Sequence, residues 1–266
     1  MATKFSVAIK TTAYQDLINN TLGDKEIAKQ FIADISTVVA SNSQLQECDG
    51  KTVLTAGLVA QSLKLPLTQS LGFAYVVPYK TKDKDGNIIY QAQFQIGWKG
   101  LVQLAQRSGQ FERLGVREVH KGEWIGQDEF GEDLFKFDHK FDKEEIIGFY
   151  AYFKLTNGFV KTLYWTTEQC EAHGERYSQA HKGKNKGGEF DNWSKSFEVM
   201  ASKTVLKQLL SKYAPLSVEL QKAITYDQAV VGADGTPNYV DNELEEPKKL
   251  EDKDSINNVA EAITKK

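Results

Sequence analysis

The sequence predicts an α+β fold: a mostly antiparallel sheet with packed helices, set between an N-terminal helical arm and a disordered acidic C-terminal tail. Three observations lead there. Apolar residues recur at helical spacing before residue 41 and again after residue 191. Between those stretches, runs of aromatic and β-branched residues alternate with Gly- and Asn-containing turns, and past Tyr226 apolar density falls away. With 266 residues, 41% hydrophobic and 11% aromatic, the chain has material for a sizeable core.

The elements follow in order. Tyr14, Leu17, Ile18 and Leu22, then Ile27, Phe31, Ile35 and Val38 beyond Gly23, mark two amphipathic helices over 11–41 with Asp24 as the cap between them. Residues 1–50 are therefore expected to form a helical region that docks on the core or on a neighbouring subunit, a role in oligomerisation. Thr52 is expected to cap the next helix, which stops before Pro66 because the proline ring disfavours helix at Leu65. The period then changes to two. Residues 73–79 and 88–96 form a hairpin whose turn includes Gly86 for positive φ. A further strand covers 114–119, and 148–155 pairs with 159–165 through Thr156-Asn157-Gly158.

Residues 180–188 are lysines and glycines without a hydrophobic anchor, the composition of a mobile cationic loop carrying Lys182, Lys184 and Lys186. From Asp191, a third expected cap, Trp193, Phe197, Met200, Ala201, Val205, Leu209 and Tyr213 form an apolar helical stripe. The core is thus expected to span 51–226. A disordered acidic linker over 227–254 contains Gly235, Pro237 and Pro247, and residues 255–266, with Ile256, Val259, Ala260 and Ile263, have the spacing of a short docking helix.

The stretch from Phe94 to Gly109 carries the most chemistry. It reads as a strand feeding a short helix, with Gly97 and Gly100 allowing close backbone approach and Gly109 as the helix stop. Lys99, Gln103 and Arg107 recur every fourth residue and so share one stripe, while Leu101, Leu104 and Ala105 point elsewhere. Eight residues of helical rise separate Lys99 from Arg107 by about 12 Å, a spacing suited to tracking a phosphate chain. The Trp98 indole at the helix entrance adds a surface on which a base can stack.

Net charge has to be divided before it informs. Residues 227–266 hold ten acidic residues and five lysines, so the overall −3 leaves the first 226 residues at +2. Residues 98–121 carry five basic and two acidic side chains, and 173–213 carry eight and four; between them 123–145 holds nine acidic and three basic residues in what reads as an exposed stretch. Two basic clusters beside expected helices point toward nucleic acid.

Catalytic motifs are weak. Gly50-Lys51-Thr52 ends like a phosphate-binding loop, yet position 45 is Leu where the motif begins with glycine. The Glu-x-Lys spacings of a metal nuclease fall only in the acidic tail, and Cys170 with His173 and His181 falls short of the four ligands of a structural zinc. The expectation is a protein that is not an enzyme, without catalytic residues, metal or cofactor. Cys48 and Cys170 lack disulfide-scaffold spacing, no run of eighteen apolar residues occurs, and the first residues show no signal-peptide pattern, so a cytoplasmic, non-membrane protein is expected.

Ile96-Gly97-Trp98-Lys99-Gly100, then Leu104-Ala105-Gln106-Arg107-Ser108-Gly109-Gln110, resembles the segment "IGYRGxxxLARRSGQ" of the RecT family of phage single-strand annealing proteins. Residues 71–79 are similar to the family's "LGHAYLLPF" and 200–207 to its "MAKKTAIRR", and with 216–223 the likeness covers roughly 50–226. The resemblance implies ATP-independent binding of single-stranded DNA, annealing to a complementary strand through a duplex intermediate, and assembly into homo-oligomeric rings or helical filaments. It further implies a 5′-to-3′ exonuclease partner and contact with a host single-strand-binding protein.

Carried over position by position, the resemblance makes Lys99 and Arg107 the first phosphate contacts and adds Lys203 and Lys207, although Ser202 replaces one basic residue of that block and Lys207-Gln208 its paired arginines. Arg113, Arg117 and Lys121 extend the basic set along the next strand, on one face if it is regular, with Val119 interrupting. A passive single-strand-binding protein is the alternative, with a DNA-processing nuclease behind it.

Overall fold

The computed structural model describes residues 5–82, 85–188, 191–232 and 235–239. The α+β expectation holds: two antiparallel sheets and a small ribbon, with helices packed around them. The N-terminal helical segment comprises α1 (Phe5–Ala8), α2 (Thr12–Leu22) and α3 (Lys25–Ser41). Gly23, at φ 69°, ends α2, and the Asp24 carboxylate starts α3 by accepting the backbone N–H groups of Glu26 and Ile27 at 2.8 and 3.0 Å. Phe31 and Ile35 bury the inner face of α3 against α4 (Gly50–Ser62). The close fit uses Gly57, where a Cβ would stand 3.0 Å from Ile35 Cδ1.

The cap of α4 is Asp49, three residues earlier than expected. Its carboxylate accepts the Lys51 N–H, whereas the Thr52 hydroxyl donates back to the Asp49 carbonyl and accepts the Ala92 N–H at 2.8 Å. Thr52 therefore serves as a tie between helix and sheet. That sheet has the order β1 (Ala74–Lys82), β2 (Ile88–Ile96), β8 (Ala229–Val231), β9 (Pro237–Tyr239). After β2 comes α5 (Trp98–Arg107), then β3 (Phe111–His120), which pairs with β6 (Ile146–Leu155), itself paired with β7 (Val160–Thr166). Inserted between β3 and β6, β4 (Trp124–Gln127) and β5 (Asp133–Phe135) form the ribbon, which the sequence did not announce.

Three further expectations need correction. The chain does not leave the core at Tyr226: Asp227 is buried, β8 is buried throughout, and Ala229 pairs with Phe94 of β2. A run of three apolar residues covering a strand edge outweighs the polar composition around it. The 180–188 segment is not an unanchored loop either, because His181 is buried and holds the Asp191 carboxylate at 2.9 Å, while Lys186 pairs with Glu171 and Glu175. Those carboxylates lie on or beside α6 (Thr167–Tyr177), which starts with a Thr166–Gln169 capping box. Finally, the single helix expected from Asp191 is two, α7 (Asn192–Lys195) and α8 (Phe197–Tyr213), broken at Ser196. Helix α9 (Val218–Tyr226) then leads into β8. Most of the expected acidic linker and the whole of the expected 255–266 docking helix lie outside the described residues.

Candidate nucleic-acid interface

Gly97 and Gly100 place the start of α5 against the chain before β1. A Cβ on Gly97 would fall 2.1 Å from the Gly72 carbonyl oxygen, and one on Gly100 would fall 2.1 Å from that of Phe73. No larger residue fits at either position without moving backbone. The Gly97 N–H is thereby free to donate to the Phe73 carbonyl at 2.9 Å. This contact sets Trp98, half-buried, beside Tyr75 in a cavity of about 360 Å³ that also has Gln95, Met200 and Lys203 in its wall. Lys99 is exposed, its ammonium 5.8 Å from the Trp98 ring centroid.

A second cavity, of about 440 Å³, shares Met200 and Lys203 with the first as wall residues. Its walls carry Trp165, His173, Tyr177, Trp193, Lys207, Lys212 and Asp227. The rings form a connected set, with His173 lying 5.3 Å from Trp165 and 4.6 Å from Tyr177 between centroids. Burial, aided by the charges of Lys207 and Arg176, pushes the His173 imidazole down to about 4, so the ring is neutral at physiological pH. The first cavity lies between the first sheet and α8 and the second between α8 and the Trp165, His173, Tyr177 and Trp193 side chains, so the two flank α8 as one cleft region, aromatic at both ends and cationic along the helix.

Lys203 and Lys207 are not free cations. Lys203 Nζ stands 2.8 Å from Asp227 Oδ1 and Lys207 Nζ 2.7 Å from Oδ2, and Oδ1 also accepts the Ile96 N–H at 3.1 Å. Burial pushes the Asp227 carboxyl up, but the two lysines outweigh it and hold it below the ordinary carboxylate range. For Lys203 the same burial lowers proton affinity, and Asp227 only partly offsets it. The group as a whole is left with one positive charge, presented through Lys207, whose side chain is 25% exposed.

The structure brings Trp98, Lys203 and Lys207 to this cleft, with Lys99 at its Trp98 end, and it disperses the others. Gln103 is half-buried on α5. Arg107 donates to the carbonyls of Leu63 and Lys64 at 3.0 and 3.1 Å, capping the C-terminal end of α4. Arg117 lies 3.7 Å over the Phe137 ring and pairs with the fully buried Glu123 at 3.3 Å. Arg113 and Lys121 are exposed on and just past β3, but buried Val119 and a register shift at its end break the row of cations between them. Lys182 is exposed, and Lys184 sits in the turn Gly183–Asn185.

Sequence reasoning did not bring Tyr75, Trp165, His173, Tyr177, Lys212 and Asp227 together around α8. The signal for Asp227 was there: an acid two residues before the apolar run Ala229-Val230-Val231 is placed to satisfy a buried partner.

The arrangement sets aromatic side chains beside cationic ones, the pairing of groups that suits flat rings and anions. The chain belongs to the RecT family, whose profile matches residues 29–246. It is 39% identical over 197 residues to YqaK of Bacillus subtilis (strain 168), a match covering 74% of this chain and 63% of that one. It is 30% identical over 205 residues to protein RecT of Escherichia coli (strain K12), covering 76% and 71% respectively. The aligned part thus spans less than two thirds of YqaK.

Proposed function

We propose that this chain is an ATP-independent single-strand annealing protein of homologous recombination, which holds one DNA strand in the cleft along α8 and promotes its pairing with a complement. The observation that carries the reading is that two aromatic-lined cavities share Lys203 of α8 as a wall residue, within a chain that belongs to the RecT family. Bases would stack on Trp98 and Tyr75 at one end and on Trp165 and Tyr177 at the other, an interaction worth about 1–3 kcal/mol per base and indifferent to sequence. Phosphates would be met by Lys99, Lys207 and Lys212, with Lys203 holding the cleft's shape through Asp227.

Annealing needs no energy source. Each base-pair step releases about 1.4 kcal/mol, and the obstacle is repulsion between two phosphate chains together with the disorder of each. A basic cleft that extends one strand lowers both. The exposed apolar side chains Leu17 and Ile27, on the outside of α2 and α3, offer a surface for self-association along the strand. A 5′-to-3′ exonuclease that exposes the strand and a host single-strand-binding protein complete the proposed context.

The test mixes labelled complementary oligonucleotides with purified full-length protein, without nucleotide or exonuclease, and follows duplex formation and strand length together. Faster pairing with intact strands supports the reading. Binding without faster pairing would leave the passive single-strand-binding alternative, and shortened strands would mean a nuclease.

A further inference from the structure

We propose that His120, Glu123 and Asp142 bind a divalent transition-metal ion of the Mn²⁺ or Zn²⁺ kind, at the base of the excursion that carries β4 and β5. One ligand atom from each residue lies within 4.8 Å of the other two. An ion bonded at roughly 2.0–2.4 Å spreads its ligand atoms about 3–4.8 Å apart, so the side chains already stand at coordination spacing.

An independent observation comes from the histidine. His120 Nδ1 is closed off from solvent and has no hydrogen-bond partner. It faces Glu123 Oε2 at 3.6 Å, too far for a hydrogen bond, and its side chain is only 13% exposed. An interior imidazole nitrogen is normally satisfied, and with the ring proton on Nε2 this one presents a lone pair toward the carboxylates.

The carboxylates are prepared in different ways. Glu123, expected from sequence to be part of an exposed acidic stretch, is completely buried, and its orientation is fixed by Arg117 at one oxygen and by the His120 backbone N–H, at 2.8 Å, on the other. Hydrogen bonds of this kind orient a ligating carboxylate. Asp142 is half exposed, with its Oδ2 3.1 Å from His139 Nδ1 and its other oxygen left for the ion, and gives the ion an entrance from solvent. Glu123 and Asp142 together outweigh Arg117 by one negative charge. One imidazole nitrogen with carboxylate oxygens suits Mn²⁺ or Zn²⁺, whereas Mg²⁺ and Ca²⁺ take oxygen sets.

The position gives the ion a consequence. The excursion rejoins the sheet where it left, through Lys121 N–H to the Glu145 carbonyl and Lys136 N–H to the Glu123 carbonyl, both 2.8 Å. An ion shared by His120, Glu123 and Asp142 would fasten that junction.

Calorimetric titration of the chelator-treated full chain with MnCl₂ and ZnCl₂ tests the proposal. One equivalent should bind, and the variants D142N and H120Q should each weaken it by about tenfold or more. Asp142 is exposed, so D142N keeps the test valid if H120Q loses its fold by circular dichroism. The bound ion should also slow proteolytic cleavage within 121–145. No saturable binding by the unmodified chain, or binding undiminished in D142N, overturns the site; cleavage equally fast with saturating metal overturns the clamp.

Discussion

The Lys203 ammonium and the Asp227 carboxylate, 2.8 Å apart, are 7% and 0% exposed, so the ion pair at the centre of the cleft is almost wholly removed from water. Taking two charges out of water is costly, and an interior pair is maintained only where further hydrogen bonds complete it. Here Lys207 and the Ile96 N–H do so. The result is a rigid junction of α8, the end of β2 and the start of β8.

Replacing Asp227 with alanine strands Lys203 as an unpaired interior charge. The expected loss of stability is about 3–5 kcal/mol, read as a lowered midpoint in urea denaturation. Stability within experimental error of the unmodified chain would mean that the junction does not hold the cleft together.

Charge reversal at Lys99 or Lys212, both exposed and without an ion-pair partner among the described residues, is expected to weaken single-stranded DNA binding while leaving circular dichroism unchanged. Each lost phosphate contact should reduce the slope of log affinity against log salt by about 0.7. An unaltered slope in both variants would move the DNA path away from this cleft.

Arg107 should behave differently from Lys99 although the two share a helix stripe. Because its guanidinium caps α4, R107A is expected to cost about 1–2 kcal/mol of stability and to affect DNA affinity less than K99E. Parallel denaturation and binding titrations decide the matter, and a variant of normal stability with strongly reduced affinity would restore Arg107 to the DNA path.

Gly97→Ala should be poorly tolerated despite the small size of the change, since the new methyl group would fall 2.1 Å from the Gly72 carbonyl oxygen. Backbone displacement on that scale is expected to cost at least about 1–3 kcal/mol and to disturb the Trp98 environment. Tryptophan fluorescence and thermal denaturation of G97A are the measurements; a spectrum and midpoint like those of the unmodified chain would contradict the crowding.

His173 gives the stability an acid dependence with a definite sign. Its folded-state value is depressed to about 4 from 6.5, so the unfolded chain takes up the proton more readily. The contribution is complete above about pH 6.5 and is lost as pH falls through 4. H173F should flatten the stability profile between pH 6.5 and 4, and a profile of the same steepness would assign the acid sensitivity to other groups.

Much of this was legible in the sequence where local rules decide. Asp24 between two amphipathic stretches, the turn at Asn157-Gly158, and the glycines at 97 and 100 each act through contacts a few residues away or through a backbone requirement that only glycine meets. Legibility failed where partners are remote. Nothing near Arg107 announces the carbonyls of Leu63 and Lys64, and nothing near Lys203 announces Asp227, so both cations looked available. Composition also misled beyond Tyr226, because three apolar residues suffice to cover an edge of β2 even within an acidic stretch.

The hydrogen bond from the Ile96 N–H to Asp227 joins residues 131 positions apart, and it has a bearing on how the chain is born. At ribosomal speeds of about 5–20 residues per second, some 7–26 s separate the synthesis of its two ends. During that interval β2 and α5 can form, but the lysines of α8 have no counter-ion and the cleft has no far wall. Closing so distant a contact is the slow kind of folding event. A nascent or prematurely terminated chain that stops short of residue 227 therefore carries the motif at 94–109 without a finished surface around it, and that surface is completed only once residue 227 has been made.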